Sequence, residues 1–180
     1  MIVAPVLETE RLLLRQYEPS DLPDSAAMWA DPAVVRYIGG VTQGRDRVWT
    51  KLLAYIGHWH AFGFGFWCLR ERATGRYVGE AGLADFRRDI TPSFEGAPEA
   101  GWALASWAHG QGIATEAMRA VLAWSDATLL HQPRTVCMID HGHVASVRVA
   151  QKLGFRHWAD TTLNGTPLGV FERPRGARAV

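Results

Sequence analysis

The sequence is poor in cysteine, long apolar runs and net charge, and each shortage argues against a class of protein. The only two cysteines, Cys68 and Cys137, lie in apolar, strand-like runs, which favours buried free thiols over a disulfide framework. No apolar run approaches the roughly 20 residues that cross a bilayer. No basic segment followed by an apolar one marks the N-terminus as a secretory signal. We therefore predict a cytoplasmic protein with no membrane partner.

The charge is almost balanced, with 19 Lys and Arg residues against 18 Asp and Glu residues and a formal net charge of +1. A nucleic-acid-binding surface usually needs a clear basic excess, so nucleic acid is not an expected partner. A local basic pocket for a phosphate group is still compatible with these numbers. The 180 residues, 48% of them hydrophobic, are enough for one substantial core. We expect residues 1–180 to form a single domain.

Helix-like and strand-like segments follow one another without an obvious linker or repeat. The residues Val48, Leu52 and Ile56 recur at helical spacing, and Asn164-Gly165 is a strong hairpin signal. The expected strands cover residues 11–15, 64–70, 77–86, 99–106, 135–140, 155–163 and 168–173. The expected helices cover residues 21–30, 45–61, a segment after residue 112, and 144–153, and a polar loop fills residues 87–98. This order predicts a mixed α/β fold with antiparallel hairpins.

The most informative segment is the glycine-rich turn from Trp107 to Met118, in which Gly110 and Gly112 are two positions apart. It follows a strand-like run and opens into an amphipathic helix, so bare N–H groups at the helix start could bind a phosphate. Dinucleotide-binding folds begin similarly, but the third glycine and the acidic residue about twenty positions later are missing here. A P-loop would need a Gly-Lys-Ser/Thr sequence, which does not follow. On this pattern alone, a phosphate site and a plain tight turn are both open.

A second motif runs from His143 to Phe155 and has the pattern of a short amphipathic helix closed by Gly154. Ser146 falls in its first turn, where a hydroxyl caps backbone donors or meets a ligand. Taken alone, this is an ordinary capped helix. Together, at this separation, the two motifs resemble the GNAT superfamily of acyl-CoA-dependent N-acyltransferases. The resemblance extends from residues 7–15 to the final hairpin and is closest to the RimJ/RimL-type branch, which acetylates N-termini of ribosomal proteins.

This resemblance implies both a fold and a donor site. The implied GNAT fold is a six- to seven-stranded, mixed but mostly antiparallel sheet that is flanked by about four helices. Its sheet is splayed beside the glycine-rich turn, and acetyl-CoA, the implied co-substrate, is wedged into the gap. The turn would hold the pyrophosphate of CoA, and the strand before it would bond to the pantetheine arm. The implied donor-binding residues are Trp102, Ala103, Leu104, His109, Gly110, Gln111, Gly112, Ile113, Ala114, Thr115, His143 and Ser146.

Two of these residues depart from the family pattern. His109 stands where the family usually has Gln or Arg, and His143 stands where it usually has Asn. Most pyrophosphate contacts in the family come from the backbone, so His109 leaves that contact intact. His143 could weaken or re-route a contact to the pantetheine arm.

An amine that attacks a thioester must lose a proton, and the departing thiolate benefits from gaining one. Glu99 is the predicted base because it opens the strand that leads into the turn, with Gly101 and Ala103 on its face. The alternative is that Glu99 is an exposed carboxylate at a strand end, and Asp140 is a weaker alternative base. Ser146 is the predicted donor to the leaving sulfur, and helix capping is its equal alternative. Direct transfer without a covalent enzyme intermediate fits these residues best.

Other residues have competing explanations. The pairs His58-x-His60 and His141-x-His143 are not completed by Cys, Asp or Glu at a recognisable ligand spacing, so no metal is predicted. The aromatic run at residues 62–67 either packs in the core, which we favour, or lines an acceptor pocket.

Three functions are consistent with the resemblance. The first is acetylation of a protein or peptide N-terminus. The second is acetylation of a small amine such as an amino acid, a polyamine or an aminoglycoside, for which Asp85, Asp89, Glu95 and Glu99 could supply an acidic pocket. The third is a non-catalytic acyl-CoA-binding module. The acyl length and the oligomeric state stay open, although acetyl transfer and homodimers are common for proteins of this resemblance.

Overall fold

The computed structural model describes residues 3–177, which contain eight strands and five α-helices. The strands are β1 (Leu7–Glu8), β2 (Leu12–Arg15), β3 (Phe66–Glu71), β4 (Tyr77–Ala84), β5 (Glu99–Leu104), β6 (Arg134–Asp140), β7 (Arg156–Leu163) and β8 (Thr166–Pro174). The helices are α1 (Leu22–Trp29), α2 (Pro32–Val35), α3 (Arg45–Phe62), α4 (Ile113–Thr128) and α5 (Val144–Lys152). None of the helices within residues 3–177 is long and apolar enough to cross a membrane.

The strands form one sheet in the order β1-β2-β3-β4-β5-β6-β8-β7. All neighbours are antiparallel except β5 and β6, which run parallel and pair only at Glu99 and Val136. Beyond that single pair the two strands diverge. The predicted mixed, mostly antiparallel and splayed sheet is therefore confirmed.

The element count is slightly larger than predicted, at eight strands and five helices. The added strand is β1, whose two residues pair with β2 but are too few to show an alternating pattern. The added helix is α2. The sequence Asp31-Pro32 ends α1 as expected, but it also starts α2, because the Asp31 carboxylate accepts a hydrogen bond from the N–H of Ala33 at 2.9 Å. Proline suits the first position of a helix, where its missing N–H costs nothing.

Two hydrophobic layers cover the sheet. Helices α4 and α5 pack on one face, where Met118 and Val121 are fully buried. The other face carries α1, α2 and most of α3, around Val48 and Leu52. Cys68 and Cys137 are both buried and free, as predicted.

The aromatic run after α3 divides between these two layers. Trp67 is fully buried and meets Trp59 and Trp124 edge-on, with ring centroids 4.5 and 5.2 Å away. Phe66 points to the opposite face, where a Cβ on Gly82 or Gly101 would lie within 3 Å of its ring. Core packing, the favoured interpretation, thus accounts for both residues.

Candidate functional site

The divergence of β5 from β6 opens a cleft along one edge of β5. The carbonyl of Pro98 accepts from the N–H of Val136 at 3.0 Å, and the N–H of Ala105 donates to Val78 on β4 at 2.9 Å. Because backbone groups alternate along a strand, Trp102 and Leu104 turn their N–H and C=O groups into the cleft. The backbone of Ala103 turns instead toward β4. The cleft therefore offers an edge to which an extended ligand can bond.

The glycine-rich turn closes one end of the cleft. Gly110 and Gly112 both have positive φ angles, of 75° and 76°, which only glycine adopts at little cost. Gly112 directly precedes α4. Within residues 3–177, the backbone N–H groups from Gly110 to Thr115 have no acceptor. A Cβ placed on Gly110 would meet no atom within 4 Å, so the space before the helix is open. These features together are suited to binding an anion.

Hydrogen bonds between Glu116 and the segment that joins β1 to β2, here called the clamp, hold the glycine-rich turn in place. The Glu116 carboxylate accepts hydrogen bonds from the Thr9 hydroxyl at 2.5 Å, from the Arg11 N–H at 2.9 Å and from the Arg11 guanidinium at 2.6 Å. Arg11 also donates to the carbonyl of Gln111 in the turn at 3.0 Å. Burial tends to raise the pKa of Glu116, but these bonds outweigh it and the net pKa is lowered. Sequence reasoning missed this clamp.

The other wall of the cleft carries a chain of three polar side chains. The Ser146 hydroxyl accepts from the indole N–H of Trp102 at 3.3 Å and lies 3.3 Å from Nε2 of His143. An indole can only donate, so the hydroxyl proton of Ser146 is free to point to His143 or into the cleft. Tyr37 stacks on the His143 ring at 4.6 Å and so joins the loop after α2 to the start of α5.

The His143 imidazole favours its neutral form. Burial is the largest cause that lowers its pKa, the charge of His109 adds to it, and the charge of Asp140 opposes it. Neutral imidazole has one ring nitrogen that accepts, which is what a hydroxyl donor at Ser146 needs. His109 lies nearby and has its own partner, because its Nε2 is 2.9 Å from the carbonyl of Leu104 at the end of β5.

Glu99 lies where the cleft begins, on the α1–α3 face of the sheet rather than the face that carries Ser146. It is buried, with 7% of its surface exposed, so it is not the exposed strand-end carboxylate of the alternative prediction. Both of its oxygens accept from the Arg88 guanidinium at 2.8 Å. Asp140, the weaker alternative base, accepts from the N–H of Gly142 at 2.7 Å and so helps to form the turn before α5.

Most of the predicted donor-binding residues thus fall into three groups around one cleft. The turn and the start of α4 present backbone donors, the edge of β5 presents Trp102 and Leu104, and Ser146 with His143 faces them from α5. Glu99 stands at the point where β5 and β6 part. Of the histidine pairs, His58 bonds to the carbonyl of Phe64 and to the N–H of Asp85. No group of three potential metal-ligating side chains converges among residues 3–177.

Comparisons with known proteins agree on the type of fold. Residues 11–156 match the family model described as an acetyltransferase (GNAT) domain. The chain is similar to a structure from Bordetella pertussis described as a GnaT-family acetyltransferase, with 35% identity, a TM-score of 0.83, and coverage of 94% of this chain and 99% of that chain. YkkB of Bacillus subtilis (strain 168), an uncharacterised protein, is 27% identical over 174 residues, which are 93% of this chain and 94% of YkkB.

A more distant structure has the same fold and contains a ligand. It is RimL, a ribosomal L7/L12 alpha-N-protein acetyltransferase, solved in complex with coenzyme A. Its identity to this chain is 15%, its TM-score is 0.75, and the comparison covers 97% of this chain and 100% of RimL. At this identity the likeness extends to the fold alone.

Proposed function

The chain belongs to the GNAT acetyltransferase family, and on this premise we propose that it transfers an acetyl group from acetyl-CoA to a primary amine by direct attack. The observation that carries the proposal is the open edge of β5 beside a turn of unbonded N–H groups. A strand edge suits the amides of a pantetheine arm, and the turn suits a pyrophosphate. One cleft therefore offers both kinds of contact that CoA needs.

Within this proposal, the turn from Gly110 to Thr115 holds the pyrophosphate through backbone N–H groups. The pantetheine arm bonds to Trp102 and Leu104, while Ala103 contributes only by its pairing with Glu80 on β4. The Leu104 carbonyl is available to the arm once the His109 ring turns away from it. The thioester would then lie further back along β5, toward Glu99.

The reaction needs a base on one side of the thioester and a proton donor on the other. An acceptor ammonium gives one proton to Glu99, and the neutral amine attacks the acetyl carbonyl to form the C–N bond. Collapse of the tetrahedral intermediate expels a second proton from nitrogen and breaks the C–S bond. The thiolate takes a proton from Ser146, whose hydroxyl is restored from the amine through solvent. The products are an N-acetyl amide, CoA thiol and one released proton.

The acceptor classes that we propose are a protein or peptide N-terminus and a small amine. RimL, which shares the fold, acts on a ribosomal protein, and the resemblance to the RimJ/RimL branch is the reason to include the first class. A non-catalytic CoA-binding module is the remaining alternative. Thiol release from acetyl-CoA, measured over a panel of peptides, amino acids and polyamines, separates the three. Tight binding of CoA without turnover on any amine would contradict the proposed activity.

The clamp around Glu116 is expected to control affinity for acetyl-CoA. We predict that Glu116→Ala raises KM for acetyl-CoA about tenfold and lowers the free energy of unfolding by about 1–2 kcal/mol, because a partly buried, charge-assisted network is lost. The matched control is Glu10→Ala, an exposed carboxylate beside the clamp. Steady-state kinetics and urea unfolding of both variants test this, and equal KM values in Glu116→Ala and wild type would contradict it.

His143 is expected to make stability depend on pH. Its pKa is lowered in the folded protein, so below about pH 6.5 the unfolded chain binds a proton that the folded chain resists. Stability is therefore lost as the pH falls from 7 to 5. We predict that His143→Asn, which has the residue usual in the family, loses less stability over this range than wild type.

The control for this prediction is His131→Asn, which removes an exposed histidine. Urea denaturation at pH 5, 6 and 7 gives the comparison, with His109 and Asp140 unchanged as the other ionisable neighbours of His143. Parallel pH dependences in wild type and His143→Asn would show that His143 carries no such linkage.

A further inference from the structure

The predicted base is already bound to a cation from its own chain. Arg88 donates through Nε and Nη2 to the two oxygens of Glu99, at 2.8 Å each. The Glu99 side chain is 9% exposed and the Arg88 side chain 27%, so Arg88 is the partner that reaches solvent. A carboxylate held at both oxygens has fewer lone pairs to offer an amine proton. An acceptor ammonium that binds Glu99 would therefore compete with Arg88 for these oxygens.

The loop that carries Arg88 also offsets part of the negative charge of the acidic residues around it. Arg87 pairs with both Asp85 and Glu95, and Arg88 pairs with Glu99. Of the four carboxylates that could have formed an acidic pocket for a polyamine, three thus have a guanidinium partner. The two guanidinium groups offset two of the four negative charges, so a polyamine would find fewer unpaired carboxylates here than the sequence suggests.

Arg88 follows a turn in the loop backbone and has a second contact besides Glu99. Arg87 has a φ of 49°, a left-handed conformation that is uncommon for residues other than glycine. The Arg88 guanidinium lies 4.5 Å from the ring centroid of Phe86, an exposed aromatic that can keep supporting the side chain. Released from Glu99, Arg88 would present a free guanidinium fork beside that carboxylate.

We propose that the acceptor is an amino acid with a free carboxylate next to its amine, an inference that rests on the proposed acetyl transfer. The acceptor's ammonium takes the place of Arg88 on Glu99, and its carboxylate takes the place of Glu99 on Arg88. One ion pair within the protein is exchanged for two with the ligand, and the planar fork of arginine matches a carboxylate at two points. A peptide N-terminus supplies only the ammonium, since a peptide carbonyl stands where the carboxylate would be.

The exchange also provides a route for product release. The acceptor ammonium gives one proton to Glu99, nitrogen bonds to the acetyl carbon, and the C–S bond breaks with the thiolate protonated as described above. The product amide nitrogen carries no charge, so it no longer competes for Glu99. Once Glu99 gives its proton to solvent, Arg88 can pair with it again and the N-acetyl amino acid leaves.

The test compares each of several amino acids with its own carboxamide, which keeps the amine and removes the carboxylate. With wild type we expect kcat/KM for thiol release to be about 10- to 100-fold higher for the acids, mainly through KM, because a charge-assisted contact is lost in the amides. Arg88→Ala should reduce this ratio to near one, and Arg88→Lys should keep part of it. Arg87→Ala, from the same loop, should leave the ratio unchanged.

The outcomes separate this inference from the proposed function. If peptides or polyamines are turned over while amino acids and their amides are equally poor substrates, the amino-acid inference is overturned. Acetyl transfer itself would still stand. A ratio that is unchanged in Arg88→Ala would overturn the role of Arg88, provided that calorimetry shows CoA affinity equal to wild type. No turnover with any amine in the panel would contradict acetyl transfer itself and this inference with it.

Discussion

Replacing Glu99 with glutamine is expected to lower kcat/KM for the amine by about 10²–10⁴-fold, the usual contribution of a general base. Glutamine has nearly the same shape, and its carbonyl oxygen can still accept from Arg88, so the start of β5 should keep its structure. What is lost is the ability to take a proton from the acceptor. Steady-state kinetics with saturating acetyl-CoA, together with CoA affinity from calorimetry, measure the effect.

Two controls make this result specific to the base. Glu95→Gln removes an exposed carboxylate from the same loop, one that pairs with Arg87 rather than Arg88, and it should retain activity. The deficit of Glu99→Gln should also shrink as the pH rises toward the pKa of the amine, because solvent then supplies the neutral nucleophile. Wild-type rates in Glu99→Gln at neutral pH would show that another group accepts the proton.

Local signals in the sequence predicted the elements that depend on a few neighbouring residues. Asn164 and Gly165 both adopt positive φ angles, of 50° and 80°, between β7 and β8, as a two-residue hairpin turn requires. Between β3 and β4, the longer loop of residues 72–76 likewise contains a glycine with a positive φ angle, Gly75 at 73°. The glycine-rich turn also follows a strand and precedes a helix. In each case the residues that determine the backbone conformation lie within a few positions of one another in the sequence.

Such local signals did not predict contacts between residues that are far apart in the sequence. The bonds from Arg11 to Glu116 span 105 positions, and neither residue has a local pattern that indicates the other. The Arg88–Glu99 pair joins the two ends of an irregular loop, so it depends on how that loop folds back. The sequence therefore made Glu99 a candidate base, whereas its pairing with Arg88 is visible only in the three-dimensional structure.

A buried carboxylate on β4, in the core, also has partners that the sequence did not predict. Glu80 is 2% exposed and lies opposite Ala103 of β5. In a strand, a glutamate usually marks a solvent-facing position, yet every residue of β4 is buried. Its partners come from three separate elements, with Tyr17 after β2, Trp29 in α1 and Tyr55 in α3. No pairwise spacing in the sequence indicates that they meet.

Removal of this carboxylate is the change expected to cost most stability. Tyr55 donates to Oε1 at 2.8 Å, and Tyr17 and Trp29 donate to Oε2 at 3.1 and 3.2 Å. Burial, and then the charge of Glu80, raises the pKa of Tyr55 well above its usual range, so its hydroxyl stays a donor. In Glu80→Ala the three buried donors lose their acceptor, and the charge that offsets the burial of Lys51 disappears. We predict a loss of about 3–5 kcal/mol in the free energy of unfolding.

The matched comparison is Glu8→Ala, which removes a carboxylate from an exposed ion pair with Arg72 on the same sheet and should cost less than about 1 kcal/mol. Glu80→Gln should fall between the two, because one amide oxygen still accepts while the amide N–H group faces donors. For a chain of this size the loss in Glu80→Ala corresponds to a fall in Tm of roughly 10 °C. Urea and thermal unfolding measure all three variants. If Glu80→Ala unfolds like Glu8→Ala, the carboxylate is not the acceptor on which Tyr17, Trp29 and Tyr55 depend.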